Sequence, residues 1–490
     1  MDDFSFFWHD YETFGRVPRR DRPAQFAGVR TDAALREIGD PVMLYCQPAP
    51  DCLPDPESCL LTGITPQHCQ AHGVPEHAFA DAVLQALGAP GTVGVGYNTI
   101  RFDDEVTRHL FWRNLIEPYG REWQNGCGRW DLLDTVRCAY ALRPDGLQWP
   151  QHEDGRVSFK LEHLTQANGL AHAAAHDALS DVRATIALAR LVRDHQPRLF
   201  DFCLKLRKKD AVWQEIGPLA NGAQDGKRPF LHISGMYPAE RGCLGLVWPL
   251  APHPTNKNEL IVWDLAHDPT ELLALDADTL RLRMFSKAAD LPEGVARLPI
   301  KTIHTNKSPV VIGNLKTLQP ALAERWGLDM AQGLRHAAQA AAQADALAAM
   351  PWRAVFQRPP PAQAPDVDED LYGGFIGPAD RRTLDRLRGL GGDALAAKLS
   401  GRGPAFEDGR LEELLFRYRA RNWPATLDDA EQARWLQHCQ ARLHDGAGGG
   451  QTLAQFFERI DVLSETADER GEAILAALYD HAEAIAPEAA

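Results

Sequence analysis

Residues 4–15 read FSFFWHDYETFG. The aromatic density of this run predicts a buried strand, and the two-residue period of a strand sends Asp10 and Glu12 out of the same face. One cation can touch both carboxylates. Asp103 opens the amphipathic pattern DDEVTRHLFWRNL (103–115) after the short apolar run TVGVGY (92–97), and Asp181 lies one turn into DALSDVRATIALARLV (177–192). Three separate elements therefore offer carboxylates. Asp177 is an N-cap residue for the last helix, which leaves His176 just outside it on a loop. Within FDDE, Asp103 and Asp104 compete. Asp104 and Glu105 read as solvent-facing helix residues.

Four hard oxygen donors converging with one imidazole suit Mg²⁺ or Mn²⁺ better than zinc, which prefers Cys and His. No Cys-x-x-Cys occurs in the chain. The chemistry that follows is phosphoryl transfer by two divalent ions about 4 Å apart on the scissile phosphate, one beside the attacking water and one beside the leaving 3′ oxygen. Asp10 is expected to bridge the ions, Glu12 and Asp181 to hold the water-side ion, and Asp103 to reach the other through water. His176 is expected to act as general base, because an imidazole titrates near neutral pH. Any one of these residues alone is an ordinary surface charge or cap. The set of five, in this order within one α/β pattern, is hard to obtain by accident.

The spacing His176-x4-Asp181 resembles the last motif of the DEDDh branch of the DnaQ exonuclease superfamily. More narrowly, HDYETFG (9–15), DRPAQFAGVRTD (21–32), LTGITPQ (61–67), GYNTIRFDDEVTR (96–108), RWDLLDTVRCAYALRPDG (129–146) and SFKLEHLTQANG (158–169) resemble bacterial exonuclease I. So do LYGGF (371–375) and FRYRARNWPATL (416–427), so the resemblance spans nearly the whole chain. It implies an RNase H-like α/β exonuclease domain with a mixed sheet (4–190), an SH3-like β-barrel domain (197–352) and an α-helical C-terminal domain (366–486). Between the last two, QRPPPAQAPDVDED (357–370) is Pro-rich and acidic and reads as a linker, and DGAGGGQ (445–451) as a flexible insert.

The chain has 490 residues, 44% of them apolar and 24% charged, and a formal net charge of −15. Such an acidic chain is not a general coat for polyanions, since that affinity comes from Lys and Arg. A local basic, aromatic-lined groove leading to a metal site is compatible with it. Nine cysteines without metal-ligand spacing, the unadorned start MDDFSFFWHD and the lack of a long apolar run point to a reduced cytoplasm and away from membranes.

The resemblance further implies that Leu61 and Thr62, with Glu12, meet the terminal nucleotide, and that Arg108, Tyr119, Trp123, Arg137 and Lys160 touch the single strand. Basic groups neutralise phosphates and aromatic rings stack on any base. Lys160 stands where the family often has Arg. In the second domain Lys209, Asn258, Lys301, His304, Asn306 and Lys307 are candidates for a further stretch of groove, against a plain hairpin surface. FRYRARNWP (416–424) reads instead as a helix carrying Arg stems over its own core. Arg143 matches a position implicated in binding the acidic tail of single-stranded-DNA-binding protein. The function implied is a monomeric, Mg²⁺-dependent 3′ to 5′ exonuclease on single-stranded DNA with a free 3′ end, releasing 5′-mononucleotides in DNA repair and recombination. Trimming of RNA 3′ ends is the alternative enzyme, and a silent DNA-binding scaffold the alternative class.

Overall fold

The computed structural model describes residues 4–171, 177–217, 227–359, 364–400 and 403–487. His176 lies outside the described residues. In chain order the first elements are β1 (Ser5–Thr13), β2 (Pro23–Thr31), β3 (Val42–Tyr45), α1 (Pro56–Thr62), α2 (Pro66–His72), α3 (Glu76–Gly88), β4 (Thr92–Gly96), α4 (Asp103–Arg113), β5 (Gly128–Asp131), α5 (Leu132–Leu142), α6 (Leu161–Ala167) and α7 (Ala178–His195). The chain forms two compact units that do not follow chain order. The first holds residues 1–128, 172–183 and 361–490, and the second 129–171 and 184–360.

In the first unit the strands run β3-β2-β1-β4, with β1 antiparallel to β2 and parallel to β4, so the sheet is mixed. Phe7 and Tyr11 of β1 and Phe26 of β2 face α3 and α4, where they pack with Phe79, Val83, Leu110 and Phe111. Each such fully buried ring contributes about 1.5–3 kcal/mol of transfer free energy. The alternate residues, including Asp10 and Glu12, are left to the other face. The C-terminal helices belong to this same unit and grip it twice. Leu453, Phe456, Ile474 and Leu478 pack with Cys59 and Cys69 of α1 and α2, while Leu384, Leu411 and Leu414 pack with Trp112 and Leu115.

Two expectations about this region change. The acidic end of the 357–370 segment is no solvated linker: Asp368 is buried and paired with Arg22, Arg417 and Arg421. The arginines of FRYRARNWP do not merely lay their stems over a core, because Arg417 reaches Asp366 at 2.8 Å and Arg421 reaches Asp51 at 2.7 Å, all with little exposure. Buried charges persist only with such partners. The 445–451 insert forms tight turns, with Gly446, Gly448 and Gly449 at φ of 69°, 72° and 69°.

The second unit holds α5, α6, most of α7, the helices α8 (Pro197–Lys205) and α9 (Lys209–Ile216), and the strands β6 (Phe230–Ile233), β7 (Leu244–Pro252), β8 (Glu259–Asp264), β9 (Ile300–His304) and β10 (Val310–Ile312). These strands form an antiparallel sheet of order β10-β6-β7-β8-β9 around Phe230, Val247, Leu260, Val262, Ile303 and Val311. The chain is also helical over Met330–Ala342 and Ala344–Ala348, a stretch rich in Ala. No helix among the described residues is long and apolar enough to cross a membrane.

Candidate active site

Strand β1 delivers Asp10 and Glu12 to one face, as period two requires. Asp177 caps α7, its carboxylate accepting the Ser180 amide at 3.1 Å, and Asp181 follows one turn later with its own amide bonded to the Asp177 carbonyl. Ligand oxygens of Asp10, Glu12 and Asp181 all lie within 4.8 Å of one another. Asp103, the first residue of α4 and 4% exposed, accepts a hydrogen bond from the Tyr11 amide at 3.1 Å. All four carboxylates belong to the first unit.

Their crowding is visible in their acidity. Burial raises the Asp10 carboxyl well above the ordinary range, and the charges of Asp103, Glu12 and Asp181 raise it further. Burial likewise pushes Glu12 up to about 8, with Asp181, Asp103 and Asp177 adding to it. A cluster of hard oxygens that resists ionisation by itself fits a divalent cation, which supplies the missing positive charge.

Asp104 is not solvent-facing. It is 1% exposed and its carboxylate lies 2.5 Å from the guanidinium of Arg121, itself buried. The reason is that α4 is packed on nearly every side: of its eleven residues only Glu105 is not buried. Glu105 in turn is engaged by Arg108 at 2.6 Å and by the Tyr372 hydroxyl. Burial lowers His9 to about 3, and neighbouring Arg121 adds to this, so that ring is neutral.

Among the expected strand-binding residues of this unit, Leu61 is 51% exposed and Trp123 67% exposed. Leu61 and Thr62 end α1. Thr62 bonds back to the Ser58 carbonyl at 3.0 Å, and Gly63 closes the helix at φ 74°, a conformation that glycine adopts without strain. Arg108 is 5% exposed, and its guanidinium is held by Glu122 at 2.7 Å, by Glu105 and by Tyr372. It also lies over the Tyr119 ring, 5.4 Å from its centroid. Phe375, 90% exposed, meets Tyr119 edge-on at 5.9 Å. Spacing gave no hint of this aromatic neighbour. Its only signal in the sequence is the two exposed-type aromatics of LYGGF.

The remaining candidates lie in the second unit. Lys209 donates to Asn258 at 2.6 Å, and the Asn258 carbonyl accepts the Thr305 amide, which gathers Lys209, Asn258, His304, Asn306 and Lys307 around one turn. Lys301 departs from that group. It shares a strand face with the buried Ile303, and its ammonium sits 4.5 Å from the Tyr237 ring centroid while donating to the Met236 carbonyl. Arg137 is tied to Asp134 at 2.7 Å and packs over Phe159, whereas Lys160 is exposed at the start of α6. Arg143 ends α5, donates to the Thr317 carbonyl at 3.2 Å and lines a cavity of about 430 Å³ with Leu142, Leu199, Phe202 and Ile312.

Three family models match the chain in succession: "Exonuclease" over residues 7–189, "Exonuclease I SH3-like domain" over 207–358 and "Exonuclease I C-terminal domain" over 365–485. The chain belongs to the exonuclease I family. It is 43% identical to exodeoxyribonuclease I of Escherichia coli K12 over 489 residues, 98% of either chain. Among solved structures, exonuclease I of Methylocaldum szegediense is 46% identical with a TM-score of 0.91, covering 98% of this chain and 99% of that one. Exonuclease I of E. coli in complex with a dA16 oligonucleotide is 42% identical with a TM-score of 0.91, covering 99% and 100%. A structure described as SSB/exonuclease I in complex with the inhibitor CFAM is 41% identical with a TM-score of 0.87, again covering 99% and 100%.

Proposed function

We propose that this member of the exonuclease I family hydrolyses single-stranded DNA from its 3′ end, releasing 5′-mononucleotides, in DNA repair and recombination in the cytoplasm, as a monomer. The observation that carries this reading is the approach of Asp10, Glu12 and Asp181 within 4.8 Å, with Asp103 beside them. The division of labour follows the domains 4–190, 197–352 and 366–486, the first carrying the chemistry.

Asp10, Glu12, Asp103 and Asp181 would hold the cations, of which two Mg²⁺ ions, or Mn²⁺ in their place, suit an all-oxygen donor set. When bound, they supply Lewis-acid stabilisation of the charge that develops on the phosphate. His176 takes the proton from the attacking water. Exposed Leu61 and half-buried Thr62 at the end of α1 meet the last base and sugar. Trp123, Tyr119 and Phe375 offer stacking faces that accept any base, which suits removal of nucleotides regardless of sequence. Arg108, over the Tyr119 ring, is a further contact to the strand beside these faces. In the second unit Lys160, Arg137 and the turn of Lys209, Asn258, His304, Asn306 and Lys307 are further contacts along the strand.

The second unit also fits a protein partner. Arg143 beside an apolar cavity can pair with a terminal carboxylate while an aromatic side chain enters between Leu142, Leu199 and Phe202. The acidic tail of single-stranded-DNA-binding protein has that chemistry. The test of the main reading is digestion of end-labelled DNA and RNA, single and double stranded, with and without Mg²⁺. A 5′ label retained on a shrinking ladder of single-stranded DNA, only with Mg²⁺, is the expected result. Early release of the label as a mononucleotide refutes the polarity, and equal digestion of RNA refutes the substrate.

A further inference from the structure

Gln25 is an amide in a place where amides are costly. It is 1% exposed, on the second strand of the sheet, and its Oε1 is buried without a hydrogen-bond partner among the described residues. A buried polar atom left in that state destabilises the fold, so its retention calls for a role.

The sheet register supplies one. Gln25 is the direct cross-strand partner of Glu12 on one side and of Tyr45 on the other, so Glu12, Gln25 and Tyr45 form a row across β1, β2 and β3 on one face. Directly opposed residues have Cβ atoms about 4.5–5.5 Å apart. The Gln25 Nε2 donates to the Tyr45 hydroxyl at 3.1 Å, toward β3. The carboxamide oxygen diverges from the nitrogen that Tyr45 holds, and the residue opposed to Gln25 on the other side, on β1, is Glu12.

We propose that Gln25 is a positioning residue for the cation site: anchored by Tyr45, its amide fixes the orientation of the Glu12 carboxylate. The amide serves an ionised Glu12 by a half turn about its last bond. Tyr45 then donates to Oε1, and the NH₂ group donates to the carboxylate oxygen that is not directed at a cation. Such outer partners hold a ligand in one rotamer before the cation arrives, and losing them typically lowers affinity about 10- to 100-fold. Gln25 touches no reacting atom, and the inference rests on the reading of Asp10, Glu12 and Asp181 as ligands.

The test is calorimetric titration of the full chain with Mn²⁺ in the absence of DNA, followed by kcat and KM on a single-stranded oligonucleotide at saturating Mn²⁺. Gln25→Leu keeps volume and removes the amide. Its Mn²⁺ affinity is expected to fall about 10- to 100-fold, with KM for DNA unchanged at saturation. A purely structural Gln25 would lower the melting temperature and leave the Mn²⁺ affinity within twofold of the parent, which overturns the proposal. Should Gln25→Leu fail to fold, Tyr45→Phe removes only the anchor. A weakened Mn²⁺ affinity there supports the proposal, and an unchanged one overturns it. If the parent chain itself binds no Mn²⁺, the ligand reading fails and this inference with it.

Discussion

The Tyr11 amide, midway between Asp10 and Glu12 on β1, donates a hydrogen bond of 3.1 Å to Oδ1 of Asp103 at the start of α4. One carboxylate is thereby fastened to the backbone that carries two others. The mutual repulsion of the group is offset by a bond that does not depend on any cation. Asp103→Asn tests this directly, because the amide oxygen still accepts from Tyr11 while the charge is lost. Exonuclease activity is expected to fall at least tenfold. The cation-free protein is expected to be stabilised by about 1 kcal/mol, roughly one pKa unit of relieved repulsion. Chemical denaturation in EDTA measures it, and a destabilised Asn variant would contradict the repulsion argument.

Asp10→Ala and Asp181→Ala are expected to abolish nuclease activity with the fold intact, since each removes one of three oxygens within 4.8 Å. His176→Ala is expected to keep cation binding and lower turnover about 10²- to 10⁴-fold, the usual worth of a positioned base. Calorimetry beside a nuclease assay separates the two classes. Half the parental rate in Asp10→Ala would remove the site assignment.

Stability without cations has a predicted pH dependence. Glu12 is raised from 4.5 to about 8 in the folded chain, so between those values the native state holds more protons than the unfolded one. Its contribution is therefore fully present below about pH 4.5 and is lost as pH rises through about 8. Melting temperatures in EDTA are expected to decline across that window from this group, and saturating Mg²⁺ is expected to suppress the decline. Parallel curves with and without Mg²⁺ would argue against cation binding at Glu12.

Phe375 is 90% exposed and Trp123 67% exposed, which leaves both rings open to a base. Each substitution to Ala is expected to weaken binding of an oligo-dT by about 1–3 kcal/mol without changing the melting temperature. Fluorescence anisotropy at fixed salt reads this. Unaltered affinity in Phe375→Ala would remove the C-terminal domain from the stacking platform.

Arg143→Ala is expected to weaken binding of an acidic tail peptide and flatten its salt dependence while leaving digestion of naked oligonucleotides unchanged. The Arg143 side chain lines the cavity of about 430 Å³. Unaltered peptide affinity would place the partner elsewhere.

Local periods alone decided much of this protein. The aromatic run 4–15 had to be a buried strand, and a strand had to put Asp10 and Glu12 on one side. Asp177 had to cap a helix that carries Asp181 one turn in. The motifs quoted along the chain pointed to the family for the same reason, since each is a short stretch whose spacing is its meaning. What spacing cannot give is which charge is neutralised by what. Asp104 reads as exposed because helix period alone places it beside Asp103, yet Arg121, seventeen positions on, encloses it. Spacing around Arg108 likewise gives no sign of Tyr372, 264 residues away, or of Glu122, which hydrogen-bond its guanidinium. The acidic end of 357–370 reads as a linker until Arg22 and Arg421 bury it. Phe375 against Tyr119, and Gln25 between Glu12 and Tyr45, are likewise products of packing and sheet register. Burial is a property of the assembled chain, and it sets the energetic cost of every unpaired charge or amide. The sequence by itself therefore determined which carboxylates share a strand face or a helix turn, and the tertiary structure decided, through burial and long-range pairing, which of their neighbours stay exposed and which are enclosed.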